Sequence, residues 1–210
     1  MDVIAADDDD ALERAARVIA RGGVVAVPTE TFYGLAADAT HEMAAARIFA
    51  IKGRPAAFAL PVVAASYEQV DAILGPIDAA TIKAARRFWP GPLSLVLAAP
   101  HTLARHVHGG GGTIAVRVPG APFVRALAEH TGMLLTATSA NRTGALPAET
   151  AEQVAAALGE DVDLIIDGGR TPGGKPSTIA DLRGAVPQLV RDGAIAWERV
   201  LAFLARNGRA

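Results

Sequence analysis

Val24-Val25-Ala26-Val27-Pro28-Thr29-Glu30-Thr31-Phe32-Tyr33-Gly34-Leu35 runs four strand-forming apolar residues straight into two hydroxyls, a carboxylate and a phenol. The apolar residues at 24–27 predict a short buried strand, and Pro28 ends it because proline has no N–H for a ladder. Polar groups leaving a buried strand are costly unless they are hydrogen-bonded or open onto a site. The end of this strand is therefore the first place to look for function.

Outward from it, helices and strands intermingle. Asp10 to Arg21 reads as a helix capped by Asp10 with Glu13 three residues on, and with Leu12, Ala15, Ala16 and Ile19 along one face. Further helices are predicted over Met43–Ile51, Asp78–Phe88, Pro122–His130, Glu149–Leu158 and Trp197–Arg206. Strands are predicted over Leu60–Ala64, Leu93–Ala98, Thr113–Val118, Leu134–Thr136, Leu164–Ile166, Ser177–Leu182 and Gln188–Arg191. Strict βαβ alternation is missing, which favours an α/β fold with a mixed sheet and flanking helices over a doubly wound one. Without repeats or a flexible linker, the 210 residues are expected to form one domain over 1–210, its core at about 8–193 and a closing helix at 197–206.

Composition narrows the function. Zero cysteines exclude disulfides, thiolate zinc sites, iron–sulfur clusters and a cysteine nucleophile. The longest uncharged stretch, Phe88 to Ala104, is broken by Pro90, Pro92 and Pro100, so no membrane span is expected. The N-terminus MDVIAADDDD is acidic where a secretory leader would be basic, which suggests a cytoplasmic protein. A net charge of −2 argues against wholesale coating of nucleic acid. Seventeen arginines stand against three lysines, and Lys52 and Lys175 lie among Gly and Pro rather than on an obvious solvated helix face.

Several motifs have plain readings. Asp7 to Asp10 resembles a metal cluster, but acids before a helix complement its dipole anyway. Gly169 to Lys175 fits the first seven positions of a P-loop, yet Pro176 stands where Ser or Thr must hold magnesium, and strand-like residues follow. A mobile Gly/Pro loop that folds over a ligand suits it better. Gly109 to Gly112 reads as a tight turn or a ligand-approach loop. His106 and His108 have the spacing of a metal pair on a strand, without a third ligand nearby. Neither Ser139 nor Ser177 lies in a G-x-S-x-G elbow. Arg117, within the apolar run Val116-Arg117-Val118, needs an anionic partner. Lys52 and Arg54 sit at a helix end, where cations can act as simple caps.

The order Thr-Glu-Thr-x-Tyr-Gly-Leu, Lys-x-Arg-Pro, Trp-Pro-Gly-Pro-Leu-Ser, Arg-Val-Pro, Thr-Ser-Ala-Asn-x-x-Gly, Pro-Ser-Thr-Ile-x-Asp, Val-Arg-x-Gly resembles the Sua5/YciO/YrdC family from about Val24 to Gly193. It is similar to the single-domain form, since Gly193 to Ala210 leaves no room for the extra C-terminal domain of the longer one. The resemblance implies a twisted mixed α/β sheet around an open cavity. It also implies synthesis of L-threonylcarbamoyladenylate from L-threonine, bicarbonate or CO2, and ATP with Mg2+, releasing pyrophosphate. That reaction opens the route to N6-threonylcarbamoyladenosine at position 37 of tRNA.

By that resemblance the catalytic set is Lys52, Arg54, Ser139 and Asn141. Thr31, Tyr33, Arg117, Ser139 and Ser177 are expected to hold L-threonine, with Arg117 on its carboxylate. Lys52, Arg54, Thr113, Asn141 and Arg191 are expected at ATP, and no protein metal site is implied. The implied partners are tRNA or double-stranded RNA and the proteins that later transfer the threonylcarbamoyl group. The chain departs from the pattern where Ala59 replaces a proline, Val63 a histidine and Phe58 a polar residue. Two other readings stay open: a non-catalytic RNA-binding module, and a carbamoyl-transfer domain like that of hydrogenase-maturation proteins.

Overall fold

A computed structural model describes residues 1–53 and 59–207. Eleven strands form among them: β1 Asp2–Ala5, β2 Val25–Val27, β3 Gly34–Ala36, β4 Val62–Val63, β5 Leu93–Ala98, β6 Thr113–Arg117, β7 Leu135–Thr136, β8 Thr138–Ser139, β9 Leu164–Asp167, β10 Thr178–Asp181 and β11 Gln188–Arg191. Eight α-helices accompany them: α1 Ala11–Ala20, α2 Glu42–Lys52, α3 Tyr67–Leu74, α4 Ala79–Phe88, α5 Arg105–His108, α6 Pro122–Thr131, α7 Ala151–Leu158 and α8 Trp197–Arg206. None of these helices is long and apolar enough to cross a membrane.

The expected mixed α/β architecture is present, with its strands divided between two sheets. One runs β1-β9-β2-β3-β8 and the other β11-β10-β5-β6-β4-β7, each with parallel and antiparallel neighbours. Residues 135–139 explain the division. Leu135 and Thr136 pair with β4, whereas Thr138 and Ser139 pair with β3 of the other sheet. Between them Ala137 N–H donates to Pro61 O. Thr136 stitches the crossing, its Oγ1 accepting from Ala37 N–H at 3.0 Å and donating to Leu35 O at 3.2 Å. Partners this distant in sequence leave no local periodicity to read.

Four apolar clusters pack against the two sheets. Helices α1 and α6 cover one face of the five-stranded sheet through Ile19, Val124 and Leu127, while α2 and α7 cover the other through Ile48 and Val154. On the six-stranded sheet, Val70 and Val107 pack over Val116, and α4 and α8 pack on Leu93, Leu95 and Ala180. The inner space between the sheets is left open, and the polar strand ends gather there.

Some local expectations need correction. Asp10 makes no side-chain cap bond to α1, because its backbone (φ −100°, ψ 1°) is not extended as a capping residue's would be. Its acidic neighbours are turn residues, with Asp8 Oδ2 accepting from Ala5 N–H at 3.2 Å. No group of three His, Cys, Asp or Glu among the described residues could hold a metal. His106 and His108 lie on one helical turn, not a strand, and His106 pairs with Glu42. The strand expected over Leu60–Ala64 shrinks to β4, since Pro61 cannot donate to a ladder. Gly109, Gly110 and Gly112 take positive φ in a tight turn before β6.

Asp78 does cap α4, accepting from Thr81 N–H at 3.0 Å. Asp78→Ala should lower unfolding stability by about 0.5–2 kcal/mol in urea titration. No change would show that the cap contributes nothing.

Candidate functional site

A cavity of about 880 Å³ lies between the sheets, within the range of small-molecule sites. From the polar turn after β2 come Thr31 and Tyr33, and from the C-terminal end of α2 comes Lys52. Strand β6 supplies Thr113 and Arg117, and the β8 turn supplies Ser139 and Asn141. Ser177 precedes β10 and Arg191 ends β11. Nine of the ten residues singled out from the sequence thus line one wall or another of this space. Arg54 lies outside the described residues, as does Phe58. Val63, where a histidine was expected, also lines the cavity; it is fully buried and stands in register with Arg117 across β4 and β6.

The electrostatics are one-sided. Lys52, Arg117 and Arg191 are cationic, and no carboxylate is among the described lining residues. Such a space suits an anionic ligand, with Thr, Ser and Asn supplying orienting hydrogen bonds.

Several of these side chains are held from behind. Lys52 Nζ is buried and donates to Ser139 O at 2.6 Å, Asn141 O at 2.9 Å and Asn141 Oδ1 at 3.3 Å. Its charge is therefore directed onto the 139–141 turn instead of projecting into open space. Gly53 caps α2 in the left-handed region (φ 59°), a conformation that costs glycine nothing and turns the chain sharply after Lys52. Asn141 is a hub: its Oδ1 accepts from Ser139 Oγ at 2.5 Å, and its Nδ2 donates to Arg142 O at 3.0 Å and Ala145 O at 2.7 Å.

Arg191 grips Ser177, with Nε and Nη2 donating to Ser177 O at 3.1 and 2.7 Å and Nη2 also reaching Ser177 Oγ at 2.9 Å. Ser177 Oγ lies 3.1 Å from Ser94 Oγ, so the Ser of the Trp-Pro-Gly-Pro-Leu-Ser motif joins the same network. Gly193 explains the Val-Arg-x-Gly spacing, because a Cβ there would meet Pro176 O and Thr178 N at 2.4 Å.

Tyr33 and Thr31 tie down the loop at 168–174. Tyr33 OH donates to Gly169 O at 2.8 Å and accepts from Gly168 N–H at 3.1 Å; burial raises the phenol's pKa and keeps it neutral. Gly173 N–H donates to Thr31 O at 2.7 Å, and Thr171 N–H to Glu149 O at 2.8 Å. The loop expected to close over a ligand is thus docked by backbone bonds against the turn that carries Thr31.

The carboxylate of the opening motif, Glu30, has a partner that the sequence does not reveal. Arg117 pairs with this carboxylate, contributed from 87 positions away, which answers the buried-charge problem within the protein itself. Burial lowers the Arg117 pKa and the Glu30 charge opposes that shift. Glu30 Oε2 is buried with no hydrogen-bond partner among the described residues, an arrangement that costs stability unless it is put to use. The sequence holds only a trace of the pair: a buried arginine requires an anion, and Glu30 is the acid of the motif that opens the site.

Comparison with known proteins bears on the family and the fold. The Sua5/YciO/YrdC family model, described as "Telomere recombination", matches residues 17–193. The threonylcarbamoyl-AMP synthase of Marinobacter nauticus is 40% identical over 172 residues, covering 81% of this chain and 90% of that protein. That of Pyrococcus abyssi is 41% identical over 186 residues, covering 89% of this chain. This chain spans only 55% of the P. abyssi protein's length. The crystal structure of P. abyssi Sua5 complexed with L-threonine superposes with a TM-score of 0.87 at 39% identity, covering 92% of this chain and 57% of that one. Motif order, fold and cavity converge: the chain belongs to the Sua5/YciO/YrdC family.

Proposed function

We propose that this protein is a threonylcarbamoyl-AMP synthase, joining L-threonine, CO2 (from bicarbonate) and ATP into L-threonylcarbamoyladenylate with release of pyrophosphate. One observation carries the reading: side chains from motifs spread between Thr31 and Arg191 line one cation-rich cavity with no carboxylate among its described lining residues. The relatives named as synthases, and the P. abyssi structure holding L-threonine, support the same chemistry.

Such a site does not need a protein nucleophile. The threonine amine attacks CO2 and loses a proton to give a carbamate. A carbamate oxygen then attacks the α-phosphorus of ATP, and the bond to the β-phosphate breaks as pyrophosphate leaves. The protein's work is to gather anions, fix their orientation and exclude water, for which well-placed reactants can be worth about 7–11 kcal/mol of barrier. Arg117 would take the amino-acid carboxylate and Thr31 and Ser177 the rest of threonine. Thr113 and Arg191 would face the nucleotide, and the Lys52-braced Ser139–Asn141 turn would lie between the two. With no carboxylate among the described lining residues, magnesium would enter as part of the substrate MgATP. The product would pass in the cytoplasm to proteins that transfer the threonylcarbamoyl group to tRNA.

The test is pyrophosphate release by purified protein with MgATP. Release should require both L-threonine and bicarbonate, falling to background when either is omitted. Background release with all three present would overturn the synthase reading, and RNA binding without ATP binding would replace it with a binding module.

A further inference from the structure

We infer that Glu30 is a positioning residue for amino-acid recognition, acting through Arg117 to fix the fork that receives the substrate carboxylate. This rests on the synthase reading above.

The pair is lopsided in an informative way. Arg117 is buried and reaches Glu30 through one guanidinium nitrogen, and Glu30 answers with one oxygen. An ion pair serving only to neutralise two buried charges would gain most by closing the fork bidentately. Here Glu30 Oε2 is left without a partner among the described residues, while Arg117 also lines the cavity. The remaining guanidinium nitrogens make no hydrogen bond among the described residues, and none of them is a buried atom left unpaired. Because Arg117 lines the cavity, these nitrogens are the part of the fork left for a carboxylate bound there.

Glu30 itself is not a lining residue, and its stem borders Gly120, where an added Cβ would come to 3.8 Å from Glu30 Cβ and Cγ. It stands behind the arginine as a fixed counter-charge. That placement holds the guanidinium plane still and leaves one edge of it for the ligand. A planar, pre-oriented fork selects a carboxylate by geometry as well as by charge.

Steady-state kinetics of Glu30→Gln give the test, because glutamine keeps the size and an acceptor oxygen but removes the charge. The KM for L-threonine should rise about 10- to 100-fold, the range of a lost charge-assisted hydrogen bond, while that for MgATP stays within about twofold. L-Threoninamide, which has the amine but no carboxylate, should react equally poorly with both proteins. The preference for L-threonine over its amide should therefore shrink in Glu30→Gln. An unchanged threonine KM, an equal rise for MgATP, or an equal loss with the amide would each overturn the proposal. If Glu30→Gln does not fold by circular dichroism, Glu30→Asp carries the test. It keeps the charge one methylene further back and should raise the threonine KM about 3- to 10-fold, and an unchanged value overturns the proposal. A wild-type protein that makes no pyrophosphate would instead sink the synthase reading itself.

Discussion

Replacing Lys52 with methionine should remove activity by about 1,000-fold and lower stability at the same time. Methionine fills nearly the same volume, so the effect reports the ammonium group and not a cavity. Three acceptors depend on it: Ser139 O, Asn141 O and Asn141 Oδ1. Two are backbone carbonyls of the turn that carries the Ser-x-Asn pair; in the variant Ser139 O keeps Asn141 N–H and Asn141 Oδ1 keeps Ser139 Oγ, while buried Asn141 O loses its one donor among the described residues. The loss should be about 3 kcal/mol, or about 6–12 °C in thermal midpoint for a chain of this size. Lys52→Arg should not rescue catalysis. A guanidinium presents its donors as a rigid planar fork, whereas these three acceptors converge on a single point. Calorimetry beside a pyrophosphate assay separates the two losses. An active Lys52→Met of unchanged midpoint would show that the turn is held by other means.

How much of this was legible beforehand depends on where each interaction closes. Leu93–Ala98 and Trp197–Arg206 are read correctly because the apolar strand run or the helical spacing is complete within the segment. Asp2–Ala5 was missed because its strand exists only through pairing with Leu164–Asp167. Gly34–Ala36 was missed for the same reason, being three residues set by Val25–Val27 and Thr138–Ser139. Tyr67–Leu74 left a readable trace, a serine at 66 that accepts from Gln69 N–H at 3.2 Å.

The site residues were picked out by motif order, and the cavity gathers those that are described. Motifs did not tell how each side chain is used. Lys52 turns its donors onto a loop, Tyr33 spends its hydroxyl on Gly168 and Gly169, and Arg191 grips Ser177. Each of these bonds spans 14 or more positions, and residue type alone does not reveal whether a cation faces a ligand or a carbonyl.

Asn141→Ala should cost about 100- to 1,000-fold in kcat/KM, for a reason distinct from Lys52. Its amide is buried and works in two directions at once. Oδ1 gathers Ser139 Oγ and Lys52 Nζ, while Nδ2 clamps Arg142 O and Ala145 O. Alanine releases both halves, so the 139–145 turn loses its own closure while Lys52 still holds the two backbone carbonyls. The stability loss should therefore be smaller than for Lys52→Met, about 1–2 kcal/mol, with a comparable loss of catalysis. Asn141→Asp sharpens the distinction. Aspartate keeps the acceptor for Ser139 and strengthens the attraction to Lys52, but it turns an anionic oxygen towards Arg142 O and Ala145 O. If orientation of the Ser139 hydroxyl is what matters, Asn141→Asp should retain more activity than Asn141→Ala. If closure of the turn against Ala145 O matters more, Asn141→Asp should be as inactive as Asn141→Ala and less stable. Near-wild-type kinetics in Asn141→Ala would remove this residue from the reaction and leave the turn with a purely structural part.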